Sequence, residues 1–240
     1  MHFYEYGNAN GVPLVFLLGT PHTGESVAEL SDLANETGVR LICTTRPWYF
    51  DTTAVPSFDL CTAEVIRYLE ENRIGHAFSI GGSGGGPFAL HLASSRPDIF
   101  GGCYLLAAMG EPEIFKRTVR SPHTQTLLRL FADSDYDHAI AQLSDWGIPS
   151  ALAHGVWADF KVLLGSWATI ELATAVPVYI HHGENDENAP LESIQALATT
   201  LTNCQLRISP SASHVELATD KKFSEFRSIF TEVGSQQANN

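Results

Sequence analysis

The stretch "SIGGSGGGPFAL", residues 79–90, sets one serine among five glycines, between an apolar run and a segment with helical spacing. Three templates compete for it. A dinucleotide fingerprint needs glycines at i, i+2 and i+5. Counted from Gly82 the third falls on Pro87, and counted from Gly81 the second falls on Ser83, so that template fails. A Walker A phosphate loop needs Lys followed by Ser or Thr, and the stretch has no Lys. The pattern G-x-S-x-G fits as Gly81-Gly82-Ser83-Gly84-Gly85. Its physical basis is a sharp strand-to-helix turn that strains the serine backbone and exposes its hydroxyl. The chain passes so close to itself there that the positions two before and two after must be small, and both are glycine. The helix N-terminus behind the turn offers oriented N–H groups for a developing negative charge. The blander reading is a glycine-rich turn with an idle serine.

A serine hydroxyl is a poor nucleophile near neutral pH and needs a base, which in turn needs an orienting acid. For this elbow the chain order is serine, acid, histidine. Asp186 stands in "YIHHGENDENAP", a strand end opening into a loop, 103 residues after Ser83. His214 follows 28 residues later in "SPSASHVE", after the strand "CQLRIS". That interval holds one helix and one strand, so both loops can meet at one edge of a sheet. Glu111, just after "CYLLAAMG", is the rival acid, while Glu184 and Glu187 read as surface charges. Among ten histidines, His91 reads as a packed helix residue and His76 as facing the opposite edge. His181 and His182 end a strand with side chains on opposite faces, and are the weaker candidates for the base. No H-E-x-x-H or comparable ligand spacing appears, so neither a metal site nor another cofactor is expected.

Acyl transfer needs two convergent N–H donors for the oxyanion. One is expected from Gly84, directly after the serine. The other is expected from "GTPHTG" (19–24), where Thr20 is the candidate because Pro21 has no N–H. The Thr20 hydroxyl could touch substrate or serve only the turn, and His22 in the same loop is a candidate substrate contact.

Outside the elbow, short apolar runs alternate with helix-like segments. Strands are expected at 2–6, 12–19, 39–45, 76–82, 102–109, 176–183 and 204–209, the first two joined by the turn "GNANG". Helices are expected at 24–38, 58–73, 85–96, in "APLESIQALATTL" and in "ATDKKFSEFRSIFTEVG". This rhythm predicts an α/β fold, a mostly parallel central sheet of about seven strands with helices on both faces. It breaks at 111–175, which reads as helices only (121–132, 136–147 and 154–175) and predicts a helical cap inserted into a core of 1–110 and 176–233. A disordered tail is expected over 234–240. Within the insertion Phe115, Phe131, Trp146, Trp157 and Trp167 either wall an apolar pocket or form the insertion's own core; Trp146 and Trp157 are taken as substrate contacts.

The chain is 240 residues, 44% apolar and 17% charged, enough for one large domain with a sizeable core. A formal charge of −13 disfavours nucleic acid and anionic membrane surfaces, whose phosphates would be repelled. The densest basic cluster, "FKRTVR" (115–120), reads as a solvated helix face. The early run "VPLVFLL" lacks a basic leader and is too short to span a bilayer. Four widely spaced cysteines without a C-x-x-C pair read as reduced thiols, with Cys43 and Cys103 in core strands. The expected setting is cytoplasmic. The expected partner is a small-molecule substrate, with no nucleic acid and no membrane; a homodimer is left open.

With these residues assembled, the chain resembles the α/β-hydrolase family over nearly its whole length. The resemblance rests on "GTPHTG", "TTRPWYFDTT" (44–53), "GGSGGGP", "HGENDENAP" and "SASHVEL", in that order. It implies Ser83 as nucleophile, Asp186 as acid, His214 as base, and Thr20 and Gly84 as oxyanion donors. Three departures stand out. Leu18-Gly19 replaces the frequent His-Gly, removing the usual polar support of the oxyanion loop. "RPWYF" replaces an "RPGYG"-like turn, and the strands begin one later than the usual eight. The activity implied is hydrolysis of a small, mostly apolar ester, thioester or lactone through an acyl-enzyme. A carbon–carbon bond hydrolase or a cofactor-free lyase would keep the same triad. A lyase would want a cation beside the histidine, and no Lys or Arg lies between Arg207 and Lys221. A ligand-sensing protein that retains the triad is the reading from a different class.

Overall fold

The apolar runs become seven strands in one sheet: β1 (His2–Gly7), β2 (Val12–Leu17), β3 (Val39–Thr45), β4 (Ala77–Gly82), β5 (Phe100–Leu106), β6 (Val178–Gly183) and β7 (Cys204–Ser209). The computed structural model describes residues 1–214 and 224–236. Strand order is β1-β3-β2-β4-β5-β6-β7, parallel throughout except for β1 against β3. The turn at 7–11 does join β1 to β2, but these strands do not form a hairpin, because β3 lies between them.

Alternation along each strand feeds two apolar layers. On one face Val15, Leu17, Ile42 and Leu105 pack with α2 (Phe58–Glu71), α3 (Gly86–Ser95) and, further along the chain, the helix Leu191–Thr200. On the other, Leu14, Phe16, Leu41 and Tyr104 pack with α1 (Ser31–Glu36) and the helix Ser224–Ser235. Helix α2 starts where Ser57 accepts the Leu60 N–H at 3.1 Å, and it buries Phe58, Cys61, Val65 and Leu69 along one stripe. Each such fully buried leucine or phenylalanine is worth roughly 1.5–3 kcal/mol. Cys43 and Cys103 lie in core strands, and all four cysteines are free.

Several boundaries differ from the sequence reading. Residues 24–38 split into a 3₁₀ segment, Gly24–Leu30, itself kinked at Val27, and the short α1; Gly38 does take the left-handed conformation beyond α1. Between β5 and β6 four helices follow one another: α4 (Pro112–Thr118), α5 (Pro122–Ala132), α6 (Tyr136–Asp145) and α7 (Ser150–Leu163). The first carries the basic run from 115 that read as a solvated helix face, with Lys116 and Arg117 exposed, although it starts earlier, at Pro112. The last starts earlier than expected and stops at Leu163, and no helix covers 164–175. After α8 (Leu191–Thr200) and β7 comes α9 (Ser224–Ser235). Gly234 and Ser235, assigned to a tail, therefore close that helix, while the expected helix start at 218–223 and the tail at 237–240 lie outside the described residues. No helix of the described residues is long and apolar enough to cross a membrane.

Candidate active site

Parallel strands carry all their C-terminal loops to one edge, and there the chemistry-bearing residues gather. At the end of β4, Ser83 takes φ +51°, a left-handed conformation that costs a non-glycine residue about 1–3 kcal/mol. The neighbouring glycines are what allow it. A Cβ on Gly85 would lie 2.0 Å from the Leu17 carbonyl oxygen, and one on Gly81 would lie 2.6 Å from that of Gly85. The elbow is closed from the far side by the Met109 N–H, which donates to the Ser83 carbonyl at 2.9 Å.

Ser83 is half-buried in the wall of a cavity of about 590 Å³ that is also lined by His214, Thr20, Gly84 and His22. Behind His214, in the loop after β6, Asp186 is completely buried. Its Oδ2 accepts from His214 Nδ1 at 2.7 Å, while Oδ1 accepts the N–H groups of Asn188 and Ala189 at 2.9 and 2.7 Å. The imidazole is therefore oriented through Nδ1, and its residue lines the cavity. Glu111 serves elsewhere, capping α4 by accepting the Ile114 N–H at 2.6 Å. Glu184 and Glu187 are exposed. His91 is buried beside Thr62, and His76 is exposed at the opposite edge.

The loop Leu18–Thr20 lies directly against the elbow: a Cβ on Gly19 would meet Ser83 Cβ at 2.9 Å, and one on Gly84 would meet Thr20 Oγ1 at 3.1 Å. Thr20 and Gly84 are thus neighbours beside the serine. The Thr20 hydroxyl donates to Asp159 Oδ2 at 2.5 Å.

The inserted helices supply the apolar wall, through Phe115, Leu127, Leu143, Trp146, Val156 and Phe160. Of the two tryptophans taken as substrate contacts, Trp146 lines the cavity and Trp157 does not. It is buried against Phe131 and Tyr136, with ring centroids at 4.9 and 5.6 Å, and belongs to the packing of the insertion. Trp167 packs edge-on against Phe58 in the main core. Among the described residues, no Lys or Arg lines the cavity, and no group of three or more His, Cys, Asp or Glu is placed to hold a metal ion.

Two functional neighbourhoods were missed from sequence. His182, fully buried, sits beside the acid with Nε2 3.6 Å from Asp186 Oδ2. Arg46 and Asp159, both buried, form an ion pair under the Thr20 loop. The motif "RPWYF" marked the first partner, and nothing local marked the second.

No protein-family model matches the chain, nor does any curated protein. Solved structures do match. A carboxylesterase of the thaumarchaeon Nitrososphaera gargenis is similar with a TM-score of 0.73 at 16% identity, over 98% of this chain and 95% of that one. A 2-hydroxy-6-oxo-6-phenylhexa-2,4-dienoate hydrolase from Rhodococcus is similar with a TM-score of 0.69 at 16% identity, over 96% and 94% of the two chains. A bromoperoxidase from Bacillus anthracis is similar with a TM-score of 0.67 at 19% identity, again over 96% and 94%. Sheet order, elbow and these end-to-end superpositions agree: the chain has the α/β-hydrolase fold.

Proposed function

We propose that this protein is a serine hydrolase that cleaves an uncharged, mostly apolar carboxylic ester, thioester or lactone through an acyl-enzyme. One observation carries the reading. Ser83, on a strained elbow, shares a cavity with an imidazole whose far nitrogen is bonded to a buried carboxylate. His214 takes the Ser83 proton as the hydroxyl attacks the carbonyl, and Asp186 fixes the imidazole and stabilises its positive form. The N–H groups of Thr20 and Gly84 receive the tetrahedral oxyanion. The alcohol or thiol leaves with the proton from His214, and water activated by the same histidine releases the acid.

Cavity chemistry favours neutral substrates. Its inserted-helix side is mostly apolar, with His123 and Thr124 as the polar residues, and Glu29 is the one carboxylate among the lining residues. A dienoate, such as the substrate named for the similar Rhodococcus hydrolase, brings a carboxylate that needs a cation or several donors. The described lining offers no Lys or Arg for it, only neutral donors such as His123 and Asn188, with Glu29 opposing a carboxylate, so the ester reading is preferred to carbon–carbon bond cleavage. The inserted helices act as a cap that keeps the acyl group dry.

The test is turnover of p-nitrophenyl acetate, butyrate and octanoate by the wild type and Ser83→Ala, alongside labelling with a fluorophosphonate. Expected are wild-type turnover and labelling, both abolished in the variant. Equal, slow cleavage by both proteins would end the proposal and leave a ligand-sensing role in its place.

A further inference from the structure

Lacking the histidine that often supports it, the Leu18–Thr20 loop is held at both ends by a buried ion pair. Arg46, just after β3, donates from Nη1 to the Leu18 carbonyl at 2.6 Å. At the other end Thr20 Oγ1 donates to Asp159 Oδ2 at 2.5 Å. Arg46 and Asp159 are themselves joined at two points, Nε to Oδ1 at 2.6 Å and Nη2 to Oδ2 at 2.5 Å. Trp48 Nε1 and the Tyr49 hydroxyl complete the carboxylate's shell at 2.8 and 2.6 Å.

Both side chains of the pair are almost wholly withdrawn from water, at 1% and 0% exposure. Burial works against the Arg46 charge, and the adjacent carboxylate more than offsets it, so the guanidinium pKa is raised. Such pairs give little net stability compared with apolar residues of similar size, because two charges must be desolvated. What they do supply is a fixed arrangement of donors in a low-dielectric interior. Asp159 lies on α7, in the insertion, whereas Arg46 and Thr20 lie in loops of the main sheet. That helix is seated directly on the "RPWYF" turn: a Cβ on Gly155 would lie 2.5 Å from the Tyr49 ring.

We propose that Asp159, anchored by Arg46, is a positioning residue for the oxyanion site, fixing the Thr20 backbone N–H against Gly84 so that the site forms only when α7 is seated. The inference rests on the serine-hydrolase reading. Its signature is a loss confined to the transition state, because the hole binds charge that develops only there.

Thr20→Val removes the hydroxyl while keeping the shape and the backbone N–H. On p-nitrophenyl butyrate its kcat should fall about ten- to a hundredfold with KM within about twofold, since misplacement near 1 Å costs on that scale. Inhibition by a trifluoromethyl ketone, which mimics the tetrahedral oxyanion, should weaken by the same factor, and Thr20→Ser should restore most of both. Asp159→Asn should move kcat in the same direction and further. Wild-type kcat and ketone affinity in Thr20→Val would overturn the inference even if Asp159→Asn failed to fold. A wild type inert to ester and fluorophosphonate alike would instead overturn the hydrolase reading, and this inference with it.

Discussion

His182 and Asp186, four residues apart across the end of β6, are buried side by side, yet the histidine spends its Nε2 proton on the Ala189 carbonyl at 2.6 Å. Among the described residues its Nδ1 has no hydrogen-bond partner. A group so enclosed resists charging. Desolvation holds the His182 pKa below its ordinary value despite Asp186 nearby, and the same cause lowers those of His91 and His181.

Burial lowers His22 and His154 as well, and only His138, raised by its bond to Asp135, acts the other way, so the depressions set the sign of the pH response. Between the lowered folded values and the ordinary histidine value near about 6.5, the unfolded chain binds more protons than the folded one. Stability therefore rises with pH through that window, is fully present above it, and is lost as pH falls. Calorimetry should find a lower Tm at pH 5.5 than at pH 7.5. His182→Asn should flatten the slope over pH 5.5–7 whatever it does to the Tm itself; an unchanged slope would remove His182 from the account.

The acid's own contacts define a second test. Asp186 Oδ1 accepts two backbone N–H groups, so in Asp186→Asn the amide oxygen should stay with them and the NH₂ should face His214. Nδ1 must then accept, Nε2 must carry the proton, and the base can no longer take one from Ser83. A fall in kcat of about 10⁴ is expected, with little change in Tm. Esterase kinetics and thermal melts of the same preparation check it; a loss under tenfold would mean that Asp186 does not orient the base.

Elbow geometry gives a third. The Gly85 contact is with backbone at 2.0 Å, which no rotamer change can relieve. Gly85→Ala should lower stability by about 1–3 kcal/mol, several degrees in Tm for a chain of this size, and cut ester turnover more than a hundredfold. Gly75→Ala is the control, because nothing lies within 4 Å of its added methyl. Equal melting curves for the two variants would mean that the elbow is looser than its contacts imply.

What sequence revealed and what it hid follow from range. The elbow, the strands and His214 were legible because their signals are local: a glycine pattern, an apolar run, a loop after a strand. The seating of Asp186 needed only chain order. By contrast, Asp159 is an ordinary acid in an amphipathic helix, and its role depends on Arg46, 113 residues earlier. Its five hydrogen bonds arise from tertiary contacts that no periodicity encodes. Trp157 misled for a related reason. The period that puts Trp157 and Phe160 on one side of α7 does not say which of them meets the cavity: Phe160 lines it, and Trp157 packs against Phe131 of α5. Strand order has the same origin: β3 inserts between β1 and β2 through pairings that neither the turn nor the strands announce.

Trp146 and Trp157 separate substrate contact from scaffold. Half-buried Trp146 lines the cavity and meets His123 edge-on at 4.6 Å, whereas Trp157 is buried among Phe131 and Tyr136. Trp146→Ala should leave acetate esters nearly untouched and raise KM for octanoate esters about ten- to a hundredfold, the worth of about 1–3 kcal/mol of apolar contact. Trp157→Ala should cost about 3–5 kcal/mol in stability, the range for emptying a buried aromatic site, and lower activity on all chain lengths alike. Kinetics across the C2–C8 p-nitrophenyl series, paired with thermal melts, distinguish the two. A chain-length preference altered by Trp157→Ala and not by Trp146→Ala would reverse the assignment and move the acyl site to the α5–α7 contact.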